Sequence, residues 1–139
     1  MEIKKDSALL AYKEDLEERG FLDWIKVHLT YEKPVHRYEG NLILYPNKLI
    51  FSGVDIQTEK EYFIEIAKED VEKVQLGFDD IYQVREDRLM GDGFQPLRLD
   101  FINNGIHTTA YMIIEFDRAE RRAYKNNDWF DELVKWKHS

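Results

Sequence analysis

The chain contains no cysteine. That excludes disulfides, thiolate metal sites and a thiol nucleophile. No stretch approaches the roughly 20 apolar residues of a membrane span. The first residues, MEIKKDSALLAYKEDL, hold no uninterrupted apolar core of the kind a secretory leader needs. There is no internal repeat, no low-complexity tract and no interdomain linker. Ser7, Ser52 and Ser139 are the only serines, and none sits in a G-x-S-x-G nucleophile turn. His28, His36, His107 and His138 show no H-x-H or H-E-x-x-H spacing, so a histidine metal site is not expected. The segment Gly91-Asp92-Gly93 has no following lysine and opens no helix, so it does not cradle phosphate.

What the chain does contain is a core. Its 139 residues suit one domain, and 43% are hydrophobic and 14% aromatic, enough to bury an interior without staples. The formal net charge is −8. Such a field repels phosphate and opposes non-specific binding to nucleic acid or to an anionic membrane.

Apolar periodicity organises the sequence. Asp6 to Arg19 is expected to be a helix, capped by Asp6 or Ser7, with Leu9, Tyr12 and Leu16 on one face and Gly20 as its C-cap. From Trp24 the period switches to two. Ile25, Val27, Leu29 and Tyr31 alternate with polar residues, which describes a half-buried strand ending at Pro34. Further strands are expected around Leu42–Leu44, Leu49–Phe51, Tyr62–Ile66, Val74–Phe78 and Leu97–Phe101. Asn104-Gly105 signals a tight hairpin, with a return strand from about His107 to Phe116. Seven strands result, the first four joined as an antiparallel meander. Asp79 to Gln95 is a long acidic loop whose spacing fails the calcium pattern. In the final segment, Trp129, Leu133 and Trp136 fall at i, i+4 and i+7 of a helix capped by Asn127. Their burial at about 1.5–3 kcal/mol per large side chain makes that helix part of the core.

These patterns resemble a known superfamily. GNLILYPNKLIFSG (Gly40 to Gly53) is similar to the second and third strands of GRAM-type and bacterial PH-like domains. YFIEIAKEDVEKV (Tyr62 to Val74) is similar to the strand–turn–strand that follows, and the Trp129–Trp136 helix to their capping helix. The resemblance covers about Trp24 to Lys137. It implies a fold that is mainly β with flanking helices: a bent, seven-stranded antiparallel barrel capped by a C-terminal helix. Here an N-terminal helix is added, with residues 1–22 as a helical extension of a single domain and 23–137 as the barrel.

The resemblance also implies binding rather than catalysis, since PH-like domains bind phosphoinositides, peptides or proteins. Headgroup-binding members concentrate cations in the first strand, its loop and the next strand. This chain offers Lys26, Lys33, His36 and Arg37 there, diluted by Glu32 and Glu39. An inositol phosphate needs several converging cations, so lipid binding is disfavoured. The densest basic cluster is Arg118, Arg121, Arg122 and Lys125. It could meet an acidic partner, or it could be neutralised by neighbouring carboxylates. Lys33, His36, Arg37 and these four are the candidate contact residues. Ile43, Ile50, Phe63, Ile102 and Tyr111 fall on the faces opposite the core. They are either covered by the N-terminal helix or form an interface.

The expectation is a non-catalytic, cytoplasmic module that docks a protein or peptide or self-associates, with no cofactor and no nucleic-acid partner. The alternatives are phosphoinositide or membrane-lipid binding, or a small-molecule-binding barrel or enzyme with a site near loop 79–95.

Overall fold

The structure, a computed structural model, describes residues 1–28, 34–82, 95–117, 119–120, 122–123 and 125–139. A strand β1 (Lys4–Tyr12) leads into two short helices, α1 (Lys13–Glu17) and α2 (Arg19–His28). Three strands follow, β2 (Tyr38–Tyr45), β3 (Lys48–Asp55) and β4 (Glu61–Ala67). A single 3-10 turn at Lys68–Asp70 carries the chain into β5 (Val71–Leu76). After β6 (Leu97–Asn103) and β7 (Ile106–Ile114) come a two-residue ribbon, β8 (Phe116–Asp117) with β9 (Arg122–Ala123), and the helix α3 (Asn126–Lys137).

The first seven strands form one curled antiparallel sheet in the order β4-β3-β2-β1-β7-β6-β5. This is the mainly β, seven-stranded fold with a C-terminal helix that the sequence led us to expect. Strands β2 to β7 fall at the expected segments, except that β5 runs over Val71–Leu76 without Phe78 and β7 stops at Ile114 before Phe116, and Asn104-Gly105 makes the β6–β7 hairpin with both residues at positive φ. The tight primed turn uses these residue types because both tolerate that conformation.

The N-terminal third departs from expectation. Asp6 to Tyr12 is not helical; it is the central strand β1, bonded to β2 on one side and β7 on the other. Gly20 is not a C-cap but lies within α2, and Ile25 to His28 is helix rather than strand. The expected strand's Leu29 and Tyr31 lie outside the described residues. The boundary at residue 22 therefore does not separate an extension from a barrel, because β1 is part of the barrel.

The reason is double burial. Ala8, Leu9, Leu10 and Ala11 are all buried, because β1 has a core on each face. Ala8 and Leu10 face the main interior with Leu42, Phe51, Leu99, Met112, Trp129, Leu133 and others. Leu9 faces a second cluster with Tyr82, Tyr111, Ile113 and Ala123, against which Leu16 of α1, Phe78, Ile81 and Phe116 pack. A continuous apolar run fits a strand buried on both faces as well as a helix segment. In α2 the buried stripe is Phe21 and Ile25, at i and i+4, while Val27 is exposed.

The curl of the sheet has a local cause at β2 and β3. Gly40 pairs with Gly53. A Cβ on Gly40 would lie 2.2 Å from the Ser52 carbonyl oxygen, and one on Gly53 2.1 Å from that of Glu39. The backbones approach so closely on the inner face that only glycine fits.

Helix α3 closes one end of the barrel. Trp129 donates from Nε1 to Asp6 Oδ2 at 2.9 Å, and Trp136 Nε1 donates to the Tyr45 carbonyl at 2.9 Å. Their indole rings are thereby buried without an orphan N–H. Asn126, itself buried, accepts from the Ile114 amide at 2.7 Å and donates to the Gln95 carbonyl at 2.5 Å.

Candidate functional site

The opposite end of the barrel is closed by polar chemistry. Tyr12 comes from the end of β1, Tyr38 and Tyr62 from the starts of β2 and β4, and all face inward. The rings of Tyr38 and Tyr62 stack at 4.1 Å, and Tyr12 meets Tyr38 edge-on at 5.7 Å. The Tyr12 and Tyr62 hydroxyls hydrogen-bond to each other. Burial, and then the neighbouring hydroxyl, raise the Tyr12 phenol far above its ordinary value, while burial followed by the Asp15 charge raises Tyr38. All three rings stay neutral through the physiological range.

Arg37 lies over this cluster. Its Nη1 donates to Asp15 Oδ1 at 3.0 Å, and its Nε and Nη2 donate to Asp55 Oδ2 at 3.2 and 3.1 Å. The guanidinium also lies over the rings of Phe21 and Tyr38, 5.4 and 5.7 Å from their centroids. One residue thus ties α1, α2, β2 and β3 together.

Each carboxylate has a second function. Asp15 Oδ2 accepts from the Tyr12 amide at 3.0 Å, fixing the start of α1. Asp55 Oδ1 accepts from the Gln57 amide at 2.9 Å and so shapes the β3–β4 turn. Their titrations diverge. Burial raises the Asp15 carboxyl, and the bonds from the Tyr12 amide and Arg37 recover only part of the shift. At Asp55 burial is outweighed by Arg37 and the turn amides, and its carboxyl is held below the ordinary 3.8.

His36 is fully enclosed, at 0% exposure. Its Nδ1 meets the Pro34 carbonyl at 2.7 Å and its Nε2 meets Glu39 Oε2 at 2.6 Å. Both ring nitrogens are therefore occupied, and His36 cannot meet an external ligand as expected. Arg37, partly exposed, is likewise engaged by two carboxylates of the fold.

The other candidates separate. Lys33, Arg118 and Arg121 lie outside the described residues. Arg122 is exposed on β9, whereas Lys125 donates to Asp6 Oδ1 at 2.9 Å, beside the Trp129 indole. Among the described residues Arg122 and Lys125 are therefore engaged differently: one sits on a ribbon and the other pins α3 to β1.

Of the outward apolar residues, Tyr111 is buried beneath Tyr82, and its hydroxyl donates to Asp79 Oδ2 at 2.8 Å. Asp79 also accepts from Arg98 Nη1 at 3.1 Å and from the Tyr82 amide at 2.7 Å. It thereby folds residues 77–82 over the outer face. Residues 83–94 of the acidic loop lie outside the described residues. Ile50 is buried, Ile43 and Ile102 are half-buried, and Phe63 is exposed.

Outside these networks, the outer face of β5 to β7 carries a recess of about 350 Å³ lined by Glu72, Lys73, Asp100, His107, Thr108 and Thr109. His107 Nδ1 lies 2.8 Å from Glu72 Oε1, an exposed pair. Among the described residues no three His, Asp or Glu side chains converge on a metal position. No helix among them is long and apolar enough to cross a membrane.

The curled seven-stranded antiparallel sheet and the C-terminal helix are those of a PH-like fold. Among solved structures the chain is similar to the hSac2 domain from human phosphoinositide phosphatase Sac2, with a TM-score of 0.51 at 15% identity over 90% of this chain and 82% of that chain. At that identity the likeness shows the fold. No protein-family model and no curated protein matches the sequence.

Proposed function

We propose that the chain is a non-catalytic PH-like binding module, of GRAM type by its Gly40–Gly53 segment, acting in the cytoplasm on a protein or peptide, a second copy of itself included. The observation that carries this reading is the neutralisation of Arg37 between Asp15 and Asp55. A headgroup site at this mouth needs free, converging cations. Here Arg37 is held by two carboxylates and His36 is enclosed. The net charge of −8 acts in the same direction by repelling anionic surfaces. The neighbour's title names a phosphoinositide phosphatase, so lipid is the outcome to test against.

Two measurements on the purified chain test the reading. In co-sedimentation, vesicles containing phosphatidylinositol bisphosphate should carry down no more protein than neutral vesicles do. A saturable excess on the phosphoinositide vesicles would overturn the proposal. Light scattering at low and high salt then divides the partner classes. A salt-resistant dimer identifies self-association, and a monomer at both salts points to another chain.

A further inference from the structure

We infer that β4 is an open sheet edge that accepts an extended basic segment of a partner protein as an added strand. This rests on the binding-module reading and names the class of partner. β4 ends the sheet, with no strand beyond it among the described residues. At the other end of the sheet, β5 is packed by α3.

The ladder fixes which backbone groups of β4 are open. The Asp55 amide donates to the Lys60 carbonyl at 2.9 Å, and the Lys68 amide to the Asn47 carbonyl at 3.0 Å. Bonded residues alternate along an antiparallel pair. Between those two bonds, Tyr62, Ile64 and Ile66 therefore bond to β3, and they also point into the core. Glu61, Phe63 and Glu65 turn their N–H and C=O groups to the free edge and their side chains to the outer face.

Natural sheets blunt such an edge with proline, a bulge, a covering element or charge. β4 contains no proline, and its register with β3 runs without a shift. Phe63 stands 61% exposed, and Val54 on the adjoining strand 41%. The charges on the edge are Glu61 and Glu65, of one sign. A second β4 pairing antiparallel would set glutamate beside glutamate, or glutamate opposite Phe63, so the edge disfavours its own copy. A strand carrying Lys or Arg opposite Glu61 and Glu65 and an apolar residue opposite Phe63 meets complementary groups at all three positions. Lys48 reaches Glu65 at 3.3 Å, a solvated pair that a second cation can share. The partner segment therefore reads cation–x–apolar–x–cation and bonds through main-chain groups at alternate residues.

The test is titration of the full chain with a labelled peptide, Thr-Lys-Thr-Leu-Thr-Lys-Thr, followed by fluorescence anisotropy and amide chemical shifts. The control peptide has Glu in place of Lys. Saturable binding of the basic peptide should shift the Glu61, Phe63 and Glu65 amides, with the acidic peptide at least about tenfold weaker. Glu61→Lys with Glu65→Lys should reverse that preference, and Phe63→Ser should weaken binding by up to about fivefold. These sites are exposed, so the variants stay folded. Equal binding of both peptides, shifts confined to β5 or the mouth, or no saturable binding would each overturn the edge assignment and leave the module reading standing. Sedimentation with phosphoinositide vesicles would overturn the module reading itself.

Discussion

At one end of the barrel Trp129, Leu133 and Trp136 press hydrocarbon into the core, whereas at the other three tyrosines lie under a guanidinium held by two carboxylates. Both ends exclude water, but by different means. The α3 end draws mainly on burial of apolar area, although burial of Asp6 beside it is outweighed by the bonds from Lys125 and Trp129, which hold its carboxyl below the ordinary value. The tyrosine end draws on matched charge: removing Arg37 leaves two carboxylates facing each other with no cation between them. The comparison also bears on function. Cations at a mouth bind an external anion only when the fold has not already bound them itself.

The largest expected effect lies at the apolar end. Trp129 is fully buried, and Trp129→Ala should cost about 3–5 kcal/mol in urea denaturation, the range for large aromatic truncations. A loss under 1 kcal/mol would show that α3 is dispensable and that the two ends do not play equivalent roles. Next comes the glycine pair in the sheet that joins them. Gly53→Ala forces a Cβ against backbone and should cost about 1–3 kcal/mol. Gly20→Ala, where the nearest atom lies 3.7 Å away within α2, should instead gain about 0.4–1 kcal/mol.

At the polar end, Arg37→Met should cost about 2 kcal/mol at neutral pH, the buried-pair loss discounted for partial exposure. The pH dependence sharpens this. Asp55 titrates below 3.8 in the fold, so its stabilisation is present above pH 3.8 and disappears as pH falls through its depressed value. Asp15 is raised, so ionising it costs stability above its folded value, and that cost is relieved as pH falls towards 3.8. Without Arg37 both carboxylates are costlier to ionise; acid relieves that larger cost in the variant while removing the Asp55 stabilisation from wild type, so the gap between wild type and Arg37→Met shrinks. Thermal melts at neutral pH and below pH 3.8 check it, and a constant gap would show that Arg37 acts by packing alone. At the same end, Tyr62→Phe removes one hydroxyl of the Tyr12–Tyr62 pair and should cost about 1 kcal/mol in the same melts.

The same contrast governs what could be read from sequence. The α3 end was legible because Trp129, Leu133 and Trp136 advertise one face of one helix. β2 to β6 were legible because alternate residues bury one face of each, and β7, buried continuously from Ala110 to Ile114, was legible because Asn104-Gly105 announces its hairpin. β1 was not, because Ala8 to Ala11 are buried on both faces and the period of two vanishes. The polar end was half legible. Arg37 could be singled out as a cation, but no local spacing pairs it with Asp15, 22 positions away, or with Asp55, 18 positions away. The three tyrosines converge from strands far apart in the chain, and no local spacing records that. Phe63 stood out as an apolar residue on the wrong face, a signal that the structure sharpens into an exposed edge.

The central place of β1 has a kinetic meaning. Its neighbours are β2, which follows soon after in the chain, and β7, and the Ser7–Glu115 bond spans 108 positions. The β2–β3–β4 meander and the β6–β7 hairpin can each form from local contacts, but the sheet becomes continuous only when the N-terminal strand is bonded on both sides. Closing so long a loop is slow relative to forming a hairpin. The last event in folding is therefore expected to be the capture of the first strand.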